Sequence, residues 1–470
     1  MSEKTAGEAL KEKLFFSPKS LYEVMTAEEK KAAEEFAETY KTFLARSKTE
    51  REAVSAMVEL LEREGYVPFV PGTQYPAGAK VYLNNRGKAL IASTIGTLDI
   101  GEGVRIEAAH IDSPRLDLKP NPVMEEQELC FFKTHYYGGI KKYQWTAIPL
   151  SLHGVIIRKD GSSVTVTIGE DPDDPVFCVT DLLPHLAGDQ MKKTMAEGIK
   201  GEQLNILIGC EMYPDEKVSD KVKLNILNLL YEKYGITERD FQSAELSAVP
   251  AFGVRDLGLD RGMIGGYGQD DRVCAYAQLM AEIDTKDPAH TTVTVFADKE
   301  ETGSRGVTGL SSHFLGDFIA DLAQAGGKEP REVLRASACL SADVSAAYDP
   351  SFAEVSEKKN SAYLGYGPSL AKYTGARGKS STSDASAEYV ALVESIFEEA
   401  GVTWQTGELG RVDQGGGGTV AMFVAHHDVD TVDIGVPVLS MHAPFEVVAK
   451  ADLYMMYRAM KAFYKYGTTE

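Results

Sequence analysis

The chain has 470 residues, enough for two or three domains that each bury a core of their own. Its 49 basic and 70 acidic side chains leave a formal charge of −21, which works against binding phosphate backbones or anionic lipid. No nucleic-acid partner and no membrane association are expected.

The five cysteines, Cys130, Cys178, Cys210, Cys274 and Cys339, are scattered with no CxxC spacing. Neither a disulfide framework nor a thiolate zinc site is indicated, and a reducing, cytoplasmic setting is expected. The amino-terminal MSEKTAGEALKEKLFF carries charges where a signal peptide needs an apolar core, and there is no run of about 18 apolar residues.

In chain order, residues 27–64 are rich in Ala, Glu, Lys and Leu with apolar positions at helical spacing, and predict one or two amphipathic helices. From Lys80 the runs KVYLNN, KALIASTIG and VRIEAAH predict short strands bounded by Gly or Asn. Between about 114 and 250 further strand-like runs, SLHGVIIRK, SSVTVTIGE and NILIGCEM, are separated by turns and charged stretches, with little sign of long helices. After Phe252 helix and strand alternate: DDRVCAYAQLMAEI, TTVTVFAD, SACLSAD and TVDIGVPVLSMH. The simplest architecture is an α/β domain made of residues 1–113 and 251–470, interrupted by a β-rich insertion at 114–250.

Four of the strand-like runs end in a candidate metal ligand: His110, the pair Glu300 and Glu301, Asp343, and His442. Asp270, at the start of a predicted helix, is a fifth. Open α/β sheets bind ligands beyond the carboxyl ends of their strands, so residues far apart in sequence can converge there. Two imidazoles with several carboxylates suit zinc, cobalt or manganese, and an Asp can bridge a metal pair. A remaining glutamate would then move protons between water and leaving amine. Each piece also has an ordinary explanation. A single strand-end His is commonly structural, Asp270-Asp271 would equally cap a helix, and Glu300-Glu301 would equally sit in a solvated turn. Asp112, two residues after His110, strengthens the metal reading because it can accept the other ring N–H. The turn residues Thr302-Gly303-Ser304 do the same for the glutamate pair.

At these residues the sequence resembles the aspartyl aminopeptidases, metallopeptidase family eighteen. The first signature, HxDSPxLxLKP, stands as His110-Ile-Asp112-Ser113-Pro114-Arg115-Leu116-Asp117-Leu118-Lys119-Pro120; the second as Asp298-Lys299-Glu300-Glu301-Thr302-Gly303-Ser304; the last as Asp433-Ile-Gly435-Val-Pro437-Val-Leu439-Ser440-Met441-His442. The resemblance implies a zinc-peptidase-like α/β/α catalytic domain with a mixed central sheet, and an insertion that serves dimerisation. It implies dimers gathered into a dodecamer that encloses the active sites and admits short peptides.

It also implies two divalent ions per subunit, zinc in the first place, with cobalt or manganese admitted. One would be held by His110 and Asp343 and the other by Glu301 and His442, with Asp270 bridging. Glu300 would be the general base, and Asp112 would orient His110. His185, in Leu183-Pro184-His185-Leu186, resembles a histidine placed in the neighbouring subunit's active site, where it steadies the oxyanion. Gly417 and Gly418, within Gly416-Gly417-Gly418-Thr419, resemble a substrate-binding loop.

Lys372 aligns with a lysine that contacts acidic side chains, which attaches a preference for amino-terminal Asp or Glu to this residue. The segment Asp343 to Ser351 lacks two histidines usual in the family, which loosens that preference. Asp271 stands where Asn is usual and adds a charge beside Asp270. The expected function is metal-dependent removal of amino-terminal residues from peptides. The alternatives are a dimetal amidohydrolase of acylamino acids or dipeptides, and a non-catalytic assembly protein.

Overall fold

The computed structural model describes residues 4–467. Helices Ala27–Ala45 and Glu50–Arg63 start in reciprocal caps, Thr26 with Glu29 and Thr49 with Glu52, which satisfy backbone donors that the first turn leaves unpaired. Their apolar stripes bury Tyr40, Phe43, Leu44, Met57 and Leu61.

A nine-stranded mixed sheet forms the centre of the α/β unit. Four neighbouring strands, Thr292–Ala297, Arg105–His110, Ala338–Ala342 and Asp430–Gly435, run parallel. Ala89–Thr94 and Ser369–Ala371 flank them antiparallel. The parallel strands are covered on both faces, which explains their nearly unbroken apolar runs. Ile91, Ile106, Val293 and Val295 pack with Phe318 and Ile319 of helix Phe314–Ala325. Leu90, Ala109, Phe296 and Leu340 pack on the other side with Cys274, Leu279, Met456 and Phe463. Because Ala297 lies opposite His110 and Ala342 opposite Ile434, the carboxyl ends of all four strands meet at one edge. A smaller five-stranded sheet, including Met263–Gly266, Pro437–Leu439 and Glu446–Ala449, stands beside that edge.

The insertion is a seven-stranded sheet drawn from residues 115–250, with Leu116, Phe132, Trp145, Leu152, Phe241 and Leu246 in a core of its own. It also holds a 14-residue helix, Lys221–Tyr234, in a stretch whose sequence shows little sign of long helices. Val222, Ile226, Leu227 and Leu230 recur at helical spacing and pack on the sheet, and Gly235 takes the positive φ that ends the helix. Among the described residues no helix is long and apolar enough to cross a membrane.

A charged seam joins the insertion to the helices of the α/β unit. Lys48, 5% exposed, donates to Glu170 (2.7 Å) and to the Pro250 carbonyl (2.6 Å). His153 lies between Glu52 (2.7 Å) and Glu170 (3.0 Å). Burial works against charge on His153, but its two carboxylate partners prevail and raise its pKa from 6.5. Burial also opposes ionisation of Glu170, yet hydrogen bonds from His153 and Lys48 bring it down to about 2. A raised histidine stabilises fully below its unfolded value of 6.5 and a lowered glutamate fully above its unfolded value of 4.5, so the seam is strongest between those pH values. Glu170→Gln is expected to cost about 2 kcal/mol there, because it strands a buried ammonium. In urea unfolding that difference should shrink as pH rises through the raised value of His153; a difference independent of pH would show that His153 carries no charge in the seam.

Candidate metal centre

The edge where the parallel strands end collects the side chains that the sequence singles out. His110, the last residue of its strand, is 1% exposed. Its Nε2 lies 3.2 Å from Asp270 Oδ1, 3.8 Å from Asp343 Oδ1 and 4.0 Å from Glu300 Oε2. His442 Nε2 lies 3.2 Å from Asp270 Oδ2 and 3.4 Å from Glu301 Oε1. Asp270 thus turns one oxygen to each histidine. Two clusters result, His110 with Asp270 and Asp343, and Asp270 with Glu301 and His442; within each, the donor atoms lie no more than 4.8 Å apart. This donor set fits divalent ions that take nitrogen and oxygen ligands, and Asp270 Oδ1 and Glu301 Oε1 are buried without a hydrogen-bond partner in the protein.

The surroundings fix these positions. His110 Nδ1 lies 3.0 Å from the Asp112 carbonyl, nearer than the 3.4 Å to the Asp112 carboxylate. That carboxylate instead accepts from the backbone N–H groups of Glu300 (3.1 Å) and Glu301 (3.2 Å) and from the Tyr137 hydroxyl (2.7 Å). It holds the glutamate turn as much as the imidazole. Gly435 allows the Asp343 strand to approach: a Cβ there would stand 1.7 Å from the Asp343 carbonyl oxygen. Asp270 does not begin a regular helix, since its φ of −79° and ψ of 110° are extended. Asp271 is fully buried, and burial, with the Asp343 charge adding, raises its pKa well above the usual range.

Electrostatics separate the carboxylates. Burial raises Glu300 to about 8; the charges of Asp343, Asp112 and Asp270 add to this while His110 opposes it. For Asp270 the two histidines that face it overcome burial and hold the pKa well below the usual value. His442 rises to about 10 despite burial, through Asp270 and Glu301.

Several contributing residues carry no sequence signal of their own. Glu446, 1% exposed, accepts from the backbone N–H of His442 (2.7 Å) and of Asp270 (3.1 Å). It steadies His442 at a φ of 63°, a strained value for a side-chain-bearing residue. An acid opening the otherwise apolar strand EVVA was the clue available. The insertion reaches in as well: the Gly139 carbonyl lies 2.7 Å from His442 Nδ1, and Gly138, at φ 75°, lies against Glu301, where a Cβ would come 3.2 Å from Oε2.

A cavity of about 290 Å³ opens onto the clusters, lined by Asp270, Glu300, Asp343 and His442, and by Gly416, Gly417, Gly418 and Thr419 of the glycine loop. Lys372 is exposed and lines a neighbouring cavity, while Ala371 and Thr374 of the same segment line the cavity at the metal clusters. His185 lies exposed on the insertion and makes no described contact with the clusters of its own chain.

The sequence model of the Aminopeptidase I zinc metalloprotease (M18) family matches residues 43–464. The Clostridium acetobutylicum protein named "Probable M18 family aminopeptidase 1" is 48% identical over 446 residues, 93% of this chain and 96% of its own. The crystal structure of an M18-family aminopeptidase from Thermotoga maritima superposes with a TM-score of 0.91 at 44% identity, covering 96% of this chain and all of that one. At 21% identity, the structure of the S. cerevisiae mApe1 dodecamer has the same fold, with a TM-score of 0.74 over 93% of this chain and 96% of that one. The likeness runs through the α/β unit, the insertion and the edge where the histidines and carboxylates meet, and the chain belongs to the M18 family of zinc aminopeptidases.

Proposed function

We propose that this M18 aminopeptidase releases the amino-terminal residue of unblocked peptides, with His110, Asp270 and Asp343 holding one divalent ion and Asp270, Glu301 and His442 a second. The observation that carries this reading is Asp270, whose two oxygens each face a different histidine at 3.2 Å. Bound zinc, or cobalt or manganese in its place, supplies Lewis acidity toward the scissile carbonyl and toward water.

Glu300 is the general base: its carboxylate takes the proton of the attacking water and returns it to the leaving amine nitrogen. Its place on the cavity wall, beside His110 and outside both three-residue clusters, supports that role. Asp112 positions Glu300 and Glu301 through their backbone N–H groups. Gly417 and Gly418 let substrate backbone come close to the loop.

We further propose that residues 114–250 act as a dimerisation module between catalytic parts 1–113 and 251–470. In the assembly His185 would enter the neighbouring subunit's site and steady the oxyanion. The exposure of His185 supports a role between subunits, and the fold shared with the yeast mApe1 dodecamer supports assembly of dimers into a dodecamer. A reducing, cytoplasmic setting accords with five unpaired cysteines, three of them buried.

Stripping metal with a chelator should abolish release from leucyl-anilide, and zinc, cobalt or manganese should restore it; activity that survives prolonged chelation would overturn the metal reading. Glu300→Gln is expected to lower kcat by on the order of 10³-fold with bound metal retained. Loss of metal together with activity would instead make Glu300 a ligand. His185→Ala should lower kcat by about 10²-fold, and oligomers reassembled from His185→Ala and Glu300→Gln subunits should regain activity that neither has alone. Absence of that complementation would place His185 outside the site.

A further inference from the structure

The metal cavity has two kinds of wall. One is the carboxylate and histidine face. The other is made of Val344, Ala346, Ala371, Leu409 and Met441, broken by Ser345, Thr374, Thr419 and four glycines. No Lys or Arg is among the residues that line it. Beyond the metal-facing set and Glu300, its one charged lining side chain is Glu408.

Glu408 is fixed in place. Its backbone N–H donates to the Asn360 carbonyl (2.6 Å), and the Tyr373 hydroxyl donates to its Oε1 (2.6 Å). Oε2 accepts no hydrogen bond from the described residues, and no described cation lies within ion-pair distance of the carboxylate. Lys372 borders the neighbouring cavity that Glu408 also touches, without pairing with it. When two divalent ions offset Asp270, Asp343, Glu300 and Glu301, Glu408 remains as the uncompensated charge of the pocket.

Resting on the proposed aminopeptidase activity, we infer that Glu408 makes this pocket selective for amino-terminal residues with a cationic head on an apolar stem, lysine above all. The aliphatic wall takes the methylenes, as the stems of long basic side chains take apolar surface elsewhere. The charged head then meets the free oxygen of Glu408 in a charge-assisted hydrogen bond. An Asp or Glu side chain meets a like charge in the same place, with no lysine or arginine among the described residues that line the cavity. The acidic preference attached to Lys372 is thereby reversed: Ala371, with no charge, occupies the wall, and the lysine next to it in the chain faces elsewhere.

The test compares substrates that differ at one group, lysyl- against norleucyl-anilide and glutamyl- against glutaminyl-anilide, on the metal-loaded full-length protein. The native protein should show kcat/KM about tenfold higher for lysyl than for norleucyl, as expected of one charge-assisted contact, and should discriminate against glutamyl. Glu408→Gln, which keeps an oxygen for Tyr373, should bring the lysyl-to-norleucyl ratio close to one. Glu408→Lys should raise the glutamyl-to-glutaminyl ratio by about tenfold or more. A native preference for glutamyl would overturn the inference and leave the aminopeptidase reading standing. An equal loss on lysyl and norleucyl in Glu408→Gln would also overturn it, by assigning the carboxylate to the substrate's α-ammonium. Release of no residue with any metal would instead defeat the activity on which the inference rests.

Discussion

Everything around this site follows from the cost of crowding carboxylates at one buried sheet edge. Asp112, Asp270, Asp343, Glu300 and Glu301 share a crevice where burial alone would push each toward its neutral form. The protein answers with different partners at different positions. Asp112 takes backbone N–H groups and a tyrosine hydroxyl, Asp270 faces two imidazoles, and Glu301 faces His442. Buried donor atoms left without protein partners are then an argument for cations, since such groups are otherwise seldom tolerated.

The parallel strands make this crowding feasible. Four of them stop at the same edge, so chemistry-bearing residues from four distant segments arrive without any long excursion of chain. The strands are rigid because both faces are packed, and the variable work falls to the turns beyond them: the glutamate turn, the glycine loop and the segment that carries His442.

Much of this is legible in the sequence, because a strand that ends in a His or an acid declares itself locally. His110, Glu300, Glu301 and Asp343 could be read in that way, and the structure brings them together. What stays hidden depends on pairings across long sequence distances. Glu446 becomes a support only when its strand lies beside Asp270, and Tyr137 only when the insertion folds back on Asp112. The placement of Lys372 is a further case: the strand Ser369–Ala371 ends one residue before it, and which cavity its side chain borders depends on how the chain turns past that end. Helix Lys221–Tyr234 shows another limit, an element with helical spacing hidden among strand-forming runs.

The carbonyl of Gly139 beside His442 changes what the insertion is. A module that only joined subunits could be exchanged, shortened or lost as a unit while the peptidase beneath kept working. Here the same module supplies the acceptor beside one histidine, the hydroxyl on Asp112 and the bare backbone against Glu301. The two parts of the molecule therefore cannot drift independently: a descendant or a designer that discards the insertion must first find another way to complete the centre it encloses.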